Sequence, residues 1–142
     1  MKIIGLDVGS KTIGVAISDA LGWTAQGLTT IKWNENNLSS ADEPLVHIID
    51  EHEITQAVIG LPKNMDGSIG ERGEAVKRFA DHFKNVHQIP TVFFDERLST
   101  MAAERTLLEA DMSRKKRAKV IDKVAAVVIL QNYLDMQNKG VT

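Results

Sequence analysis

Two short apolar runs open the chain, Lys2 to Val8 and Thr12 to Ser18, with only Gly9-Ser10-Lys11 between them. A connection that short can only fold the chain back on itself, so the pair predicts an antiparallel hairpin. A third strand-like stretch, 24 to 32, follows the turn Asp19-Ala20-Leu21-Gly22 and extends the hairpin to a meander. After that the periodicity changes. Polar residues from Asn34 to Ser40 form a loop, and Leu45, Ile48 and Ile49 then recur at helical spacing up to about Glu53. Gln56 to Leu61 is a continuous apolar run stopped by Pro62, the pattern of a strand buried on both faces. Residues 63 to 70, rich in Gly, Asn and Asp, predict a loop, and Val76, Phe79, Ala80 and Phe83 form one helical stripe after it. Pro90 precedes a fifth strand, Thr91 to Phe94. Ser99 or Thr100 can cap a helix through Glu109, and a last helix is expected from about Arg117 to Gln137. The order βββαβαβαα predicts one α/β domain over 1–142, with an antiparallel hairpin edge joined to parallel strands through crossover helices.

The 142 residues suffice for a real core without staples. Absence of cysteine removes disulfides, thiolate metal sites and thiol nucleophiles. No apolar run reaches the roughly 18 residues of a membrane span, and the first residues enter a strand pattern without a basic leader, so a cytoplasmic protein is expected. The net charge of −2 argues against a uniformly basic coat, but its distribution is polar. Asp42, Glu43, Asp50, Glu51 and Glu53 form an acidic stretch, whereas Arg114, Lys115, Lys116, Arg117, Lys119 and Lys123 face the single acid Asp122. Such a patch collects phosphates or is a solvated helix start.

Three acids stand where acids are unexpected. Asp7 lies inside the first strand, where burial of a carboxylate demands a compensating partner. Asp122 shares a helix face with Ala125, Ala126, Ile129 and Tyr133, an otherwise apolar stripe. It either points inward toward a partner or pairs with Arg117 or Lys119. Glu96 follows the fifth strand, at the end of a parallel strand where open α/β folds form ligand crevices. If strand five lies two places from strand one, the backbones are about 10 Å apart, a gap two carboxylates close onto shared cations and hardly onto each other. Asp66, after strand four, is the substitute candidate. Converging carboxylates repel unless a cation intervenes. Oxygen donors alone, with no HExxH spacing among His47, His52, His82 and His87, point to Mg²⁺ or Mn²⁺ in a two-metal site suited to phosphodiester hydrolysis. The histidines are expected on helix surfaces.

Four blocks together resemble the YqgF (RuvX) family: Gly5 to Asp19, Gly60-Leu61-Pro62 with Asn64 to Ser68, Asp95 to Thr100, and Lys119 and Asp122 with Ala125-Ala126 and Ile129-Leu130-Gln131. The resemblance spans nearly the whole chain. It implies an RNase H-like fold of RuvC-like topology: a mixed five-stranded sheet with helices on both faces, in which β1, β4 and β5 are parallel. It also implies a cytoplasmic bacterial nuclease that matures the 5′ end of the small-subunit ribosomal RNA precursor, or a Holliday junction resolvase. Carried over by position, its acids are Asp7, Glu96 and Asp122, the same three already singled out. Many members have Arg after the Lys of the first turn; here it is Thr12, which removes a phosphate contact but leaves Lys11.

Lys11, Arg97, Arg114, Lys115, Lys116 and Lys119 are the candidates for holding nucleic-acid phosphates, Arg97 alternatively pairing with Asp95. Trp23 and Trp33 flank strand three and give little support for base stacking. The expected partner is therefore nucleic acid, pre-rRNA or a DNA junction, in a ribosome-assembly setting without a membrane, for a monomer or homodimer. Two other readings remain open: a nucleotide-binding ATPase half-domain with a similar Asp-x-Gly hairpin, and a non-catalytic nucleic-acid-binding factor in ribosome assembly or transcription.

Overall fold

The computed structural model describes residues 2–98 and 114–138, with side chains over 2–98 and 123–138. The opening meander forms as expected: β1 is Lys2–Val8, β2 is Thr12–Ser18 and β3 is Ala25–Lys32, each antiparallel to its predecessor. Helix α1 spans Asp42–Glu51, β4 Ile54–Leu61, α2 Glu71–His87 and β5 Thr91–Asp95. The final described helix, here α3, spans Arg114–Asn138. The expected helix from Ser99 or Thr100 through Glu109 lies outside the described residues. Helix α1 starts three residues earlier than Leu45 because Asp42 and Glu43 favour the positive N-terminal end and Pro44 is tolerated in a first turn.

The sheet order is β3-β2-β1-β4-β5, so β5 stands two places from β1 with β4 between. β1, β4 and β5 are parallel. Their carboxyl ends therefore meet at one rim, as the crossover helices require. Alternation along the strands sorts the interior into two layers. Ile4, Leu6 and Val8 of β1 and Ile59 and Leu61 of β4 pack with Leu45 of α1 and with Val76, Phe79 and Phe83 of α2. On the other face Ala16, Val58 and Phe94 pack with Ala125, Ala126, Ile129 and Leu130 of α3. A central strand covered on both faces reads as an unbroken apolar run, which is why β1 and β4 show no polar alternation. Asp7 is the exception, only 7% exposed.

Glycines set how closely α3 approaches. A Cβ on Gly5 would stand 2.7 Å from Leu130 Cβ, and one on Gly60 would collide with the Ile129 side chain. The helix then descends the sheet. Gln131 Oε1 accepts the Ala25 N–H at 2.9 Å, and the Tyr133 hydroxyl accepts from Gln56 Nε2 at 2.9 Å near the amino end of β4. With Ile129 against Gly60 and Tyr133 at the opposite end of β4, α3 enters from the rim where the parallel strands finish.

Candidate active site

Asp7 is the penultimate residue of β1 and lies opposite Gly14 of β2. Leu6 and Val8 point to the α1/α2 layer, so Asp7 shares with Gly5 the face that α3 covers. On its other side β1 pairs Leu6 with Ile59, and continuing that register sets Asp7 beside Gly60. Glu96 opens a 3₁₀ turn, Glu96–Leu98, directly after β5. Its carboxyl carbon lies 3.4 Å from the point where a Cβ on Gly60 would stand. Gly60 thus lets the Ile129 side chain and the Glu96 carboxyl approach the same point of the sheet, on the face that Asp7 shares. Any larger residue would displace them. Asp7 is buried and Glu96 half-buried, and neither lacks an interacting neighbour.

The third acid stands on α3. Position 122 is one helical turn before Ala126 and two before Ile129, the residues that meet Gly5 and Gly60. Its side chain lies outside the described residues, as do those of Arg114, Lys115, Lys116 and Lys119. Among the described residues, no three His, Asp or Glu side chains form a metal-holding group. The chemistry of the two described carboxylates nevertheless fits a hard divalent cation, since their donors are oxygens only.

Other predicted residues take different places. Lys11 is exposed in the β1–β2 turn, which is held by the Trp33 N–H to the Lys11 carbonyl at 3.0 Å and Trp33 Nε1 to the Gly9 carbonyl at 2.9 Å. Trp33 itself is buried edge-on against Phe79, 5.3 Å between centroids, while Trp23 is exposed. Asp66 is turned into its own loop, accepting from the Ser68 N–H at 2.9 Å and the Ser68 hydroxyl at 2.6 Å. That hydroxyl, then the backbone N–H, holds the Asp66 carboxyl below the usual carboxylate range. Asp95 is likewise held low, first by hydrogen bonds from the Arg97 side chain. In turn, Asp95 raises the Arg97 guanidinium. Of the histidines expected on the surface, His82 pairs with Asp42 at 2.8 Å and His87 is partly buried against Phe83.

Two features were not anticipated from residue order. Arg72 of α2 bridges Glu35 at 2.8 Å and the Val8 carbonyl at 3.5 Å, bracing the end of β1 from the face opposite Asp7. No local pattern announces it, since its partners are 37 and 64 residues away. The close approach at Gly60 is the other. Its only trace is a glycine in an otherwise branched, apolar strand, the usual mark of close approach by another group.

The model of the family described as "RuvX: Holliday junction resolvase" matches residues 1–136. The chain belongs to the RuvX family. Among its RuvX relatives, a protein of Oceanobacillus iheyensis named "Putative pre-16S rRNA nuclease" is 74% identical over 96% of this chain and 100% of its own length. A Bacillus cereus protein of the same name is 57% identical over 95% of this chain and 98% of its own. The fold is shared more widely. RuvC of Thermus thermophilus in complex with a Holliday junction substrate superposes with a TM-score of 0.62 at 10% identity, covering 99% of this chain and 98% of that one. The fowlpox virus Holliday junction resolvase gives 0.53 at 15% identity, covering 98% and 99%. These similarities show the RNase H-like, RuvC-type sheet in this RuvX chain, which is a nuclease by family and so a hydrolase of ester bonds.

Proposed function

We propose that this chain is a divalent-metal-dependent nuclease that hydrolyses phosphodiester bonds at the 5′ end of the small-subunit ribosomal RNA precursor, in the cytoplasm, during ribosome assembly. The reading treats 1–142 as one nuclease domain. The observation that carries it is the shared face: Asp7 and Glu96 stand at the ends of strands two places apart, both beside Gly60 of the strand between, on the face covered by the helix that bears Asp122. The RNA substrate is taken from the name its relatives bear.

In this reading Asp7, Glu96 and Asp122 hold Mg²⁺ or Mn²⁺. Bound at that rim, such ions supply charge neutralisation for the phosphodiester and activation of an attacking water. The chain's own part is preorganisation. Burial of Asp7 keeps its carboxylate in a low-dielectric setting that strengthens its hold on a cation. Gly60 lets Glu96 lie close to the sheet beside Ile129, and bracing of Val8 and Gly9 by Arg72 and Trp33 keeps the end of β1 from shifting. Lys11, Arg114, Lys115, Lys116 and Lys119 hold flanking phosphates, fixing the register of the substrate without reading its bases.

The test is cleavage of a purified precursor carrying the mature 5′ junction, with Mn²⁺ or Mg²⁺, by wild type and by Asp7→Asn. Loss of about 10²-fold or more is expected from removing a charged ligand, and equal activity in the two proteins sinks the assignment. Resolution of a four-way DNA junction is the second reading, favoured by the description of the family model. It requires paired active sites in a dimer, and junction cleavage by the same preparation that leaves the RNA intact would select it.

A further inference from the structure

We infer that Asp95 and Arg97 are positioning residues that lock the backbone around Glu96, and that Arg97 is not a phosphate ligand. The inference rests on Glu96 being a site residue. Asp95 ends β5, paired with Leu61 of β4, so its backbone is anchored in the sheet. Its carboxylate then reaches two residues forward. Oδ1 accepts the Arg97 backbone N–H at 3.0 Å, closing a ring with Glu96 at its centre and capping the 3₁₀ turn that Glu96 begins. The Arg97 side chain folds back onto the same carboxylate, Nε at 3.2 Å from both oxygens and Nη2 at 2.8 Å from Oδ2. Glu96 is therefore straddled by a charge-assisted, forked pair, the arrangement that adds most directional restraint.

The clamp has a second anchor. Arg97 Nη1 donates to the Met65 carbonyl at 3.4 Å, and Lys63 Nζ lies 3.8 Å from Asp95 Oδ2. The 63–70 loop they reach is closed on itself. The Asn64 N–H donates to the Ser68 carbonyl at 2.9 Å, and Asn64 Nδ2 donates to the Ser68 hydroxyl at 2.9 Å. Gly67, at φ +89°, turns there without a side chain, and a Cβ would stand 3.4 Å from Arg97 Nη1. Thus the residues on both sides of Glu96 are tied to the ends of β4 and β5. An exposed ion pair adds little to stability, so restraint and not folding energy is what this one supplies. A guanidinium already turned onto a carboxylate is also poorly disposed to take a phosphate.

The experiment compares Asp95→Ala, Asp95→Asn, Arg97→Ala and Glu96→Gln with wild type in Mn²⁺-dependent cleavage of the precursor, with kcat and KM separated. RNA affinity is read in parallel in metal-free buffer at two salt concentrations, and melting temperatures check folding. Asp95→Ala and Arg97→Ala are expected to lower kcat about 10- to 100-fold, the usual effect of losing a supporting partner, with KM, RNA affinity and its salt slope unchanged. Asp95→Asn, whose amide oxygen still accepts the Arg97 N–H, is expected to restore most of kcat. Wild-type kcat in Asp95→Ala overturns the inference. So does weaker RNA binding with a flatter salt slope in Arg97→Ala, which would make Arg97 a phosphate contact. Wild-type cleavage by Glu96→Gln instead overturns the functional reading beneath it.

Discussion

A single hydrogen atom in place of a methyl group decides the geometry at Gly60. Its missing side chain admits Ile129 from α3 on one side and the Glu96 carboxyl on the other. Gly60→Ala should therefore cost about 1–3 kcal/mol of stability through overpacking, and should lower cleavage further than that loss explains because Glu96 is displaced. Urea unfolding read beside kcat at a temperature where the variant is fully folded checks both parts. Asp7 and Glu96 stand out in residue order because each departs from a local expectation, an acid in a buried strand and an acid at a strand end, and both lie beside Gly60. Gly60 does not stand out, because an apolar run with one glycine reads the same whether the space is filled by a helix, a carboxylate or nothing. Asp66 illustrates the converse. It is a loop acid near strand four, and its Oδ1 accepts two hydrogen bonds from Ser68 two residues on, a local partner that residue order does not reveal.

Helix α2 carries its aromatic stripe onto the sheet and ends in a histidine whose environment is less polar than its type suggests. His87 packs on Phe83 at 4.6 Å between centroids with the rings tilted by 52°, and its Nε2 is buried with no hydrogen-bond partner. Burial lowers its pKa from the ordinary 6.5, partly opposed by Asp42 and reinforced by His82. A histidine lowered in this way favours the folded state most when neutral in both states. Its contribution is fully present above the unfolded value near 6.5 and is lost as pH falls from there through the lower folded value. Thermal melts at pH 7.5 and pH 5 should show a smaller acid-induced drop for His87→Phe than for wild type. The existence and type of the described strands and α-helices followed from periodicity, the third strand beginning at Ala25 against an expected 24, whereas the 3₁₀ turn Leu38–Ala41 stands partly in the stretch expected as loop, too short to carry a period of its own. Helix ends were less legible. Among the described residues α3 already includes Arg114, three residues ahead of the expected Arg117, because a run of Arg and Lys has no apolar stripe to mark a turn.

Across the whole molecule, the three proposed ligands come from distant segments of the chain, and only the built sheet puts Asp7 and Glu96 on one face. Metal binding to such a site stabilises the fold by mass action, since the unfolded chain scatters the ligands. Mn²⁺ at about 100 times its dissociation constant should accordingly stabilise wild type by about 2.7 kcal/mol, and chelator should return it to the metal-free value. Asp7→Asn should respond to neither, and a melting temperature of wild type insensitive to Mn²⁺ would remove the metal from the account. No helix among the described residues is long and apolar enough to cross a membrane, in line with the absence of any such run in the sequence. The order of strands and helices was written in the chain because hydrophobic period and turn residues act over a few neighbours. Which acids share a face was not, because it depends on strand register, on β4 lying between β1 and β5, and on how near two glycines let α3 come. Those contacts join residues from Gly5 to Leu130, and only the packed structure brings them together.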